Sequence, residues 1–246
     1  EVGAVEALLQ AGANPNRSTD SGKTVLMYAA ERPDASEQLE LLINHGADVQ
    51  ARDDSGRTAL FYAARADSAE NVRLLLQSGA SVSVATPEPD VMDPQPVRVM
   101  SRHEVERMYM GGGITPLMEA LSYGAGPQVV RMLLEAGADV NALNDDNNTP
   151  FLYAVRENAV GIDALVALLE AGADVNEQPE WSMTALMYAI VPAEGEPRFE
   201  IIEFLLDAGA DASATDGTGR TAFDLARFRP EFQNTAVLRR LRAAVE

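Results

Sequence analysis

Apolar side chains recur along the chain in short clusters with helical spacing, and polar segments rich in Gly, Asp and Asn separate them. The clusters at 39–43 and 129–134 show the spacing of one buried helix face. A glycine follows each such cluster, where a left-handed residue closes a helix without a Cβ clash. The pattern therefore predicts a series of helices that each end at a glycine.

These glycines define a repeat. They stand at Gly12, Gly46, Gly79, Gly137, Gly172 and Gly209, with separations of 34, 33, 58, 35 and 37 residues. A polar turn follows each glycine, and a second apolar cluster then opens at Thr24, Thr58, Thr115, Thr149, Thr184 and Thr221. Threonine is a favourable N-cap, and Pro116 and Pro150 occupy a first helical position, where a missing N–H costs little. Each unit is predicted to be a turn, a short helix and a longer helix.

Two positions of the short helix are nearly constant. An alanine recurs at one register, as helices that approach closely require, at Ala29, Ala63, Ala120, Ala154, Ala189 and Ala226. A tyrosine recurs at Tyr28, Tyr62, Tyr153 and Tyr188, with Glu119 and Leu225 as the exceptions. The tyrosines form either a packing ladder, with hydroxyls that reach water or a backbone group, or a stripe that faces a ligand.

The unit resembles the ankyrin repeat, whose signature is a Thr-Pro-Leu-His-x-Ala opening and a Leu-Leu-x-x-Gly-Ala-Asp-Val-Asn ending. Here TPLMEAL stands at 115–121, and EAGADVN stands at both 135–141 and 170–176. The chain is identified as a member of this family, of a bacterial type. The family's histidine is absent, and its position holds Met27, Phe61, Met118, Leu152, Met187 and Asp224. We therefore expect a more apolar contact between repeats.

The resemblance implies an all-α solenoid that forms a single domain over 1–246. Its parts are a half repeat at 1–16, repeats at about 17–50, 51–83, 114–141, 142–176 and 177–213, and a C-terminal capping repeat at 214–246. Residues 220–246 contain six arginines and three acidic residues, and we interpret Arg239, Arg240 and Arg242 as a polar cap.

An insertion at 84–113 interrupts the period by about 25 residues, judged from the 58-residue separation. Residues 86–97 carry four prolines, which predict a stiff extended connector. Residues 101–110 open with Ser101 and Glu104 at capping-box spacing and predict a helix. This helix either packs on its own array or serves as an arm that grips a partner.

Composition narrows the class of protein. With 46% apolar and 23% charged residues and no run of about 20 apolar residues, the chain is predicted to be folded and not membrane-inserted. The formal charge of -19 argues against nucleic-acid binding and favours a basic protein partner, unless acidity serves solubility alone. The chain has no cysteine, which excludes disulfides, thiolate zinc sites and cysteine nucleophiles.

Catalytic chemistry has few candidates. The chain's two histidines are His45, which precedes a helix-ending glycine and suits a solvated or carbonyl-capping role, and His103. A zinc-protease helix needs a histidine four positions after His103, but Arg107 stands there. The glycines at 111–113 lack phosphate-loop spacing, and the paired aspartates at 53–54 and 145–146 lie in turns where solvation is expected. We predict no enzyme activity, no cofactor and no metal site.

Curvature of a solenoid leaves a concave face open to partners. The resemblance implies that the turns and the short helices form this face. The predicted partner contacts are Asp53, Asp54, Arg57, Asp145, Asp146, Asn147, Glu180, Trp181 and Asp216 in the turns, and Arg32, Arg65, Tyr123 and Arg156 on the short helices. Trp181 is the sole tryptophan, and it either anchors a partner or folds back onto the array.

We therefore predict a non-enzymatic protein-binding module that is monomeric on its own. Two alternatives remain open: an immunity or inhibitor protein that neutralises a toxic enzyme, and a regulatory segment of a larger enzyme or channel. Lys23 is the single lysine among many arginines, a bias typical of bacterial genomes, so a bacterial cytoplasm or periplasm is expected. Glu1 stands inside a predicted helix, which leaves room for a signal peptide or another domain upstream.

Overall fold

The structure is a computed structural model that describes residues 2–87, 112–157, 159–179, 183–192 and 196–246. Six short inner helices are α2 (Val25–Ala30), α4 (Ala59–Arg65), α6 (Pro116–Ser122), α8 (Pro150–Glu157), α10 (Ala185–Ile190) and α12 (Ala222–Ala226). Outer helices alternate with them: α1 (Val2–Gln10), α3 (Ser36–Asn44), α5 (Ala69–Gln77), α7 (Pro127–Glu135), α9 (Ile162–Glu170), α11 (Phe199–Asp207) and α13 (Ala236–Ala243). A 3₁₀ turn at Pro230–Phe232 precedes α13.

The helices form two layers along one axis. Each inner helix packs on the next inner helix, and outer helices likewise pack on neighbouring outer helices. The described residues contain isolated β-bridges, Ser18 with Thr24 and Thr215 with Thr221, but no strand. The predicted all-α ankyrin solenoid is therefore confirmed.

The threonines start the inner helices as predicted. The Thr24, Thr115 and Thr184 hydroxyls accept hydrogen bonds from the backbone N–H three residues on, at 3.3, 3.3 and 3.4 Å. The Thr221 hydroxyl accepts the same bond from the Asp224 N–H, and the Thr221 N–H in turn donates to the Asp224 carboxylate at 3.1 Å. These caps satisfy N–H groups that the first turn of a helix leaves without partners.

The glycines end the outer helices by one shared geometry. Gly137, at φ 90°, donates to the Leu134 carbonyl at 2.9 Å, and Ala138 donates to the Leu133 carbonyl at 3.0 Å. This pair of bonds is the Schellman arrangement, in which the left-handed residue is usually glycine. His45 precedes Gly46 and places its Nδ1 2.9 Å from the Leu41 carbonyl, which confirms the carbonyl-capping role.

The core lies between the two layers. Inner-helix leucines such as Leu26, Leu60 and Leu186 are fully buried, and each such burial contributes about 1.5–3 kcal/mol. The recurring alanines are buried as well, from 0% exposure at Ala63 to 8% at Ala29, which lets adjacent inner helices approach closely as predicted.

Hydrogen bonds join the two ends of the insertion, where the chain leaves the array and re-enters it. Thr86 donates its N–H to the Ile114 carbonyl at 2.9 Å, and Gly113 donates to the Thr86 carbonyl at 2.9 Å. Ile114 in turn donates to the Thr86 hydroxyl at 3.0 Å. The predicted helix at 101–110 and most of the proline-rich connector lie outside the described residues.

Candidate binding surface

The polar turn before each inner helix is here called a tip, and one repeated hydrogen bond closes the tips before α2, α4, α8 and α12. The residue five positions before the capping threonine donates its N–H to the carbonyl of the residue just before that threonine. Its distances are 3.0 Å for Thr19 to Lys23, 3.0 Å for Asp53 to Arg57, 3.2 Å for Asn144 to Asn148 and 2.9 Å for Asp216 to Arg220. The tips are therefore ordered turns, and one chain position sets their geometry.

Where this position holds an aspartate, its carboxylate accepts hydrogen bonds within the tip. Asp53 accepts from the N–H groups of Ser55 and Arg57 at 2.8 and 2.9 Å, and from the Tyr62 hydroxyl at 2.6 Å. Asp53 was expected in a solvated turn facing a partner, and the structure corrects this because the carboxylate is already hydrogen-bonded.

Asp216 shows the same chemistry in a buried form. It accepts from the backbone N–H groups of Thr218 and Arg220 at 2.9 and 3.0 Å, and from the Arg220 guanidinium at 2.8 Å. Burial opposes its ionisation, but these hydrogen bonds outweigh burial and hold the pKa of Asp216 far below its usual range. With 7% exposure, Asp216 supports its turn instead of facing outward as predicted.

Neighbouring tips stack on each other. Asp54 donates its N–H to the Ser21 carbonyl at 3.1 Å, and Asp145 donates to the Gly112 carbonyl at 3.1 Å. Gly113 has φ 73°, and a Cβ there would lie 2.8 Å from Asn144 Cα, so the close approach requires glycine. The side chains of Asp54, Asp145, Asp146 and Asn147 stay exposed along the outside of this stack, which keeps them available to a partner.

Arg57 does not lie exposed on its tip as predicted. Its side chain is 12% exposed, and its Nε lies 3.5 Å from a carboxylate oxygen of Glu119, which is 1% exposed. Burial disfavours the charged guanidinium, but attraction to Glu119 and Asp53 outweighs burial and raises the pKa of Arg57. The ion pair joins the tip before α4 to α6, whereas the register expected to be apolar is apolar, since Phe61 and Met118 are fully buried in one cluster.

A second cation lies in the contact between α2 and α4. Lys23 Nζ lies 4.4 Å from the ring centroid of Tyr28, 4.1 Å from that of Tyr62 and 2.6 Å from Glu31. Burial, and then the hydrogen bond to Asp53, raise the pKa of Tyr62. The packing ladder predicted for the tyrosines therefore exists here, but the Tyr62 hydroxyl reaches a carboxylate instead of water or a backbone group.

Long side chains end the inner helices, as predicted. Arg65 places its guanidinium 4.1 Å from the ring centroid of Tyr123, the residue that caps α6. Arg32 pairs with Asp34 at 3.0 Å, and Arg156 pairs with Asp146 at 3.3 Å. Arg65 with Tyr123 thus forms a pair that bridges two units.

Two aromatic side chains stand out from the packed inner layer. Tyr123 is 39% exposed and Phe228 is 79% exposed, and each follows directly after an inner helix or its cap. Among the aromatic residues within the inner helices, Phe61, Tyr62 and Phe151 are at most 4% exposed, whereas Tyr188 and Phe223 are half-buried. Each ring lies beside an arginine, Tyr123 beside Arg65 and Phe228 beside Arg227, and each keeps exposed apolar surface that another molecule can contact.

Tyr28 is exposed for a different reason. It lies on the terminal face of α2, where a groove of about 170 Å³ is lined by residues that include Val5, Val25, Tyr28 and Leu42. In the next unit the same register is covered by α2, so Tyr62 is 4% exposed against 47% for Tyr28.

The predicted contacts Glu180 and Trp181 lie outside the described residues. In the part of the chain that is described, no group of three or more His, Asp or Glu side chains is arranged to hold a metal ion. Within the same part, no helix combines the length and apolar character needed to cross a membrane.

Sequence reasoning missed two kinds of residue. Thr19 and Asn144 close their tips, and the signal was their position five residues before a capping threonine. Glu119 carries the buried ion pair, and the signal was its departure from the recurring tyrosine in a unit preceded by Arg57.

Comparisons with known proteins agree with this architecture. A family model described as ankyrin repeats (3 copies) matches residues 1–86, 97–179 and 117–216. The crystal structure of the human ASB11 ankyrin repeat domain matches with a TM-score of 0.74, over 99% of this chain and 92% of that chain, at 24% identity. A curated mouse protein, fibronectin type 3 and ankyrin repeat domains 1 protein, is 42% identical over 55 residues, which is 22% of this chain and 16% of that protein.

Proposed function

Because this chain belongs to the ankyrin repeat family, whose repeats are protein–protein interaction modules, we propose that it binds a protein partner along the concave face and the exposed tips. The observation that carries the proposal is the exposure of Tyr123 and Phe228, which lie just after the inner helices α6 and α12. Aromatic side chains that bury large areas at low entropic cost are frequent anchors of interfaces.

The tips supply the electrostatic part of the proposal. Asp54 and Asp145 are exposed, whereas Asp53 and Asp216 are committed to their turns and Asp146 pairs with Arg156. In a chain of formal charge -19, these open carboxylates favour approach of a partner with a basic surface. We propose no catalytic step, because the charged side chains that lie close together stabilise turns or join neighbouring helices.

The first test is affinity capture from a lysate of the source organism, with cross-linking to map contacts. Three baits are compared: the wild-type chain, a double variant with Tyr123→Ser and Phe228→Ser, and a control double variant with Leu8→Ser and Val245→Ser. The control removes exposed apolar side chains, 62% and 38% exposed, away from the inner helices. We expect the partner to be lost by the first variant and retained by the control.

A companion variant, Asp54→Arg with Asp145→Arg, tests the tips without disturbing the carboxylates that hold the turns. It should weaken capture most at low salt, because exposed charges are screened beyond about 10 Å at 0.1 M salt. Equal retention by wild type and by the Tyr123 and Phe228 variant would contradict a concave binding face. The identity of the captured protein separates a toxic enzyme from other partners.

A further inference from the structure

The basic residues on and next to the inner helices form ion pairs with carboxylates, with one exception among the described residues. Seven lie on an inner helix or within two residues of one, and six of these are paired. The pairs are Lys23 with Glu31, Arg32 with Asp34, Arg57 with Glu119, Arg156 with Asp146, Arg220 with Asp216 and Arg227 with Asp224. Arg65 is the exception, since its contact among the described residues is the Tyr123 ring.

The nearest acid in sequence does not neutralise Arg65. Asp67 instead accepts the backbone N–H of Gly126 in the next unit, at 3.0 Å. Arg65 is half-buried and Tyr123 is 39% exposed, so the pair lies partly at the surface. A guanidinium over an aromatic ring is held in place while its N–H groups stay free to bind an oxyanion.

Resting on the proposed function, we propose that Arg65, held by Tyr123, binds the carboxylate of a single Asp or Glu in the partner segment. Arginine offers two parallel N–H donors to a carboxylate, which gives both strength and orientation. The charge of the chain restricts the partner further. With a formal charge of -19, the chain repels a run of acids, so the recognised acid is flanked by neutral or basic residues.

The test uses a displayed library of random twelve-residue peptides, selected on the full chain. The baits are wild type, Arg65→Gln, Arg65→Glu, the Tyr123→Ser and Phe228→Ser variant, and an Arg73→Gln control. Arg73 lies on the outer helix of the same unit, 43% exposed, and is paired with Glu70. Thermal unfolding of each bait confirms that a lost signal does not reflect a lost fold.

We expect peptides selected on wild type and on Arg73→Gln to carry one acidic residue at a fixed position between basic or neutral residues. That preference should vanish with Arg65→Gln and become a preference for Lys or Arg with Arg65→Glu. A wild-type-selected peptide should bind Arg65→Gln about tenfold to a hundredfold more weakly. Its acid-to-Lys version should recover binding to Arg65→Glu.

Two outcomes overturn the inference. If selected peptides show no acidic position, or show one that survives Arg65→Gln, then Arg65 does not read a carboxylate and the proposed function still stands. If wild type enriches no peptide beyond the Tyr123→Ser and Phe228→Ser variant, both the inference and the proposed binding face fail.

Discussion

Two neighbouring contacts between inner helices involve the same two positions of the repeat, but one contact is charged and the other is apolar. Each brings the residue just before a capping threonine near the tyrosine position of the next inner helix. Between α4 and α6 these residues are Arg57 and Glu119, a buried ion pair at 3.5 Å. Between α6 and α8 they are Ile114 and Tyr153, which belong to one buried apolar cluster.

The difference shows that the ankyrin backbone fixes which positions meet but not how they are satisfied. An apolar pair gains from burial alone, whereas a buried ion pair must offset the loss of water around two charges. The polar contact is therefore sensitive to single substitutions in a way that the apolar one is not. It also spans the insertion, and so it joins units that lie far apart in sequence.

The largest expected effect comes from breaking the ion pair. Glu119→Gln removes one charge and leaves the Arg57 guanidinium, 12% exposed, without its buried counter-charge. We expect a loss of about 3–5 kcal/mol in the free energy of unfolding, because an uncompensated charge stays buried. Urea unfolding followed by circular dichroism measures it.

The double variant Arg57→Ile with Glu119→Tyr copies the neighbouring apolar contact into the polar one. Its free energy of unfolding should be close to that of wild type or higher, since well-packed apolar residues often replace a buried ion pair without loss of stability. If this variant were as unstable as Glu119→Gln, the two contacts would differ in shape and not only in chemistry.

A second buried carboxylate sharpens the comparison, because Asp216 is satisfied by its own turn and not by the neighbouring helix. Asp216→Asn keeps the shape but loses charge-assisted hydrogen bonds, and we expect a loss of about 2–3 kcal/mol at pH 7. A folded-state pKa below the unfolded value stabilises the fold above the unfolded pKa. The stabilisation is lost as pH falls below about 4 toward the folded pKa.

The difference between the unfolding free energies of wild type and Asp216→Asn, measured by urea titration from pH 7 to pH 3, should therefore narrow at the acidic end. The difference between the two proteins isolates this carboxylate from the many other acids of the chain. A gap that stayed constant with pH would mean that the side chain's shape, and not its charge, holds the turn.

The sequence predicted the repeat but not this chemistry, and the reason is physical. Period, capping threonines and helix-ending glycines are local signals, and the structure has the helices that they predict. Whether a tip aspartate faces solvent depends on contacts from elsewhere. Asp53 is engaged by Tyr62 nine residues on, and Arg57 is buried by Glu119 across the insertion. Their assignment as exposed contacts failed because one-dimensional patterning does not show which face of a turn is covered.

The smallest expected effect tests the tyrosine register. Tyr62→Phe removes the 2.6 Å bond to Asp53, and we expect a loss of about 1–2 kcal/mol, since the acceptor is a carboxylate. Tyr188→Phe is the matched control, since Tyr188 is half-buried at the same register in α10, and its loss should stay within about 0.5 kcal/mol. The raised pKa of Tyr62 means that its stabilisation is present below pH about 10 and is lost as pH rises beyond it. Urea unfolding of both variants at pH 7 and pH 10.5 checks the sign, and equal losses at the two tyrosines would show that the register contributes by packing alone.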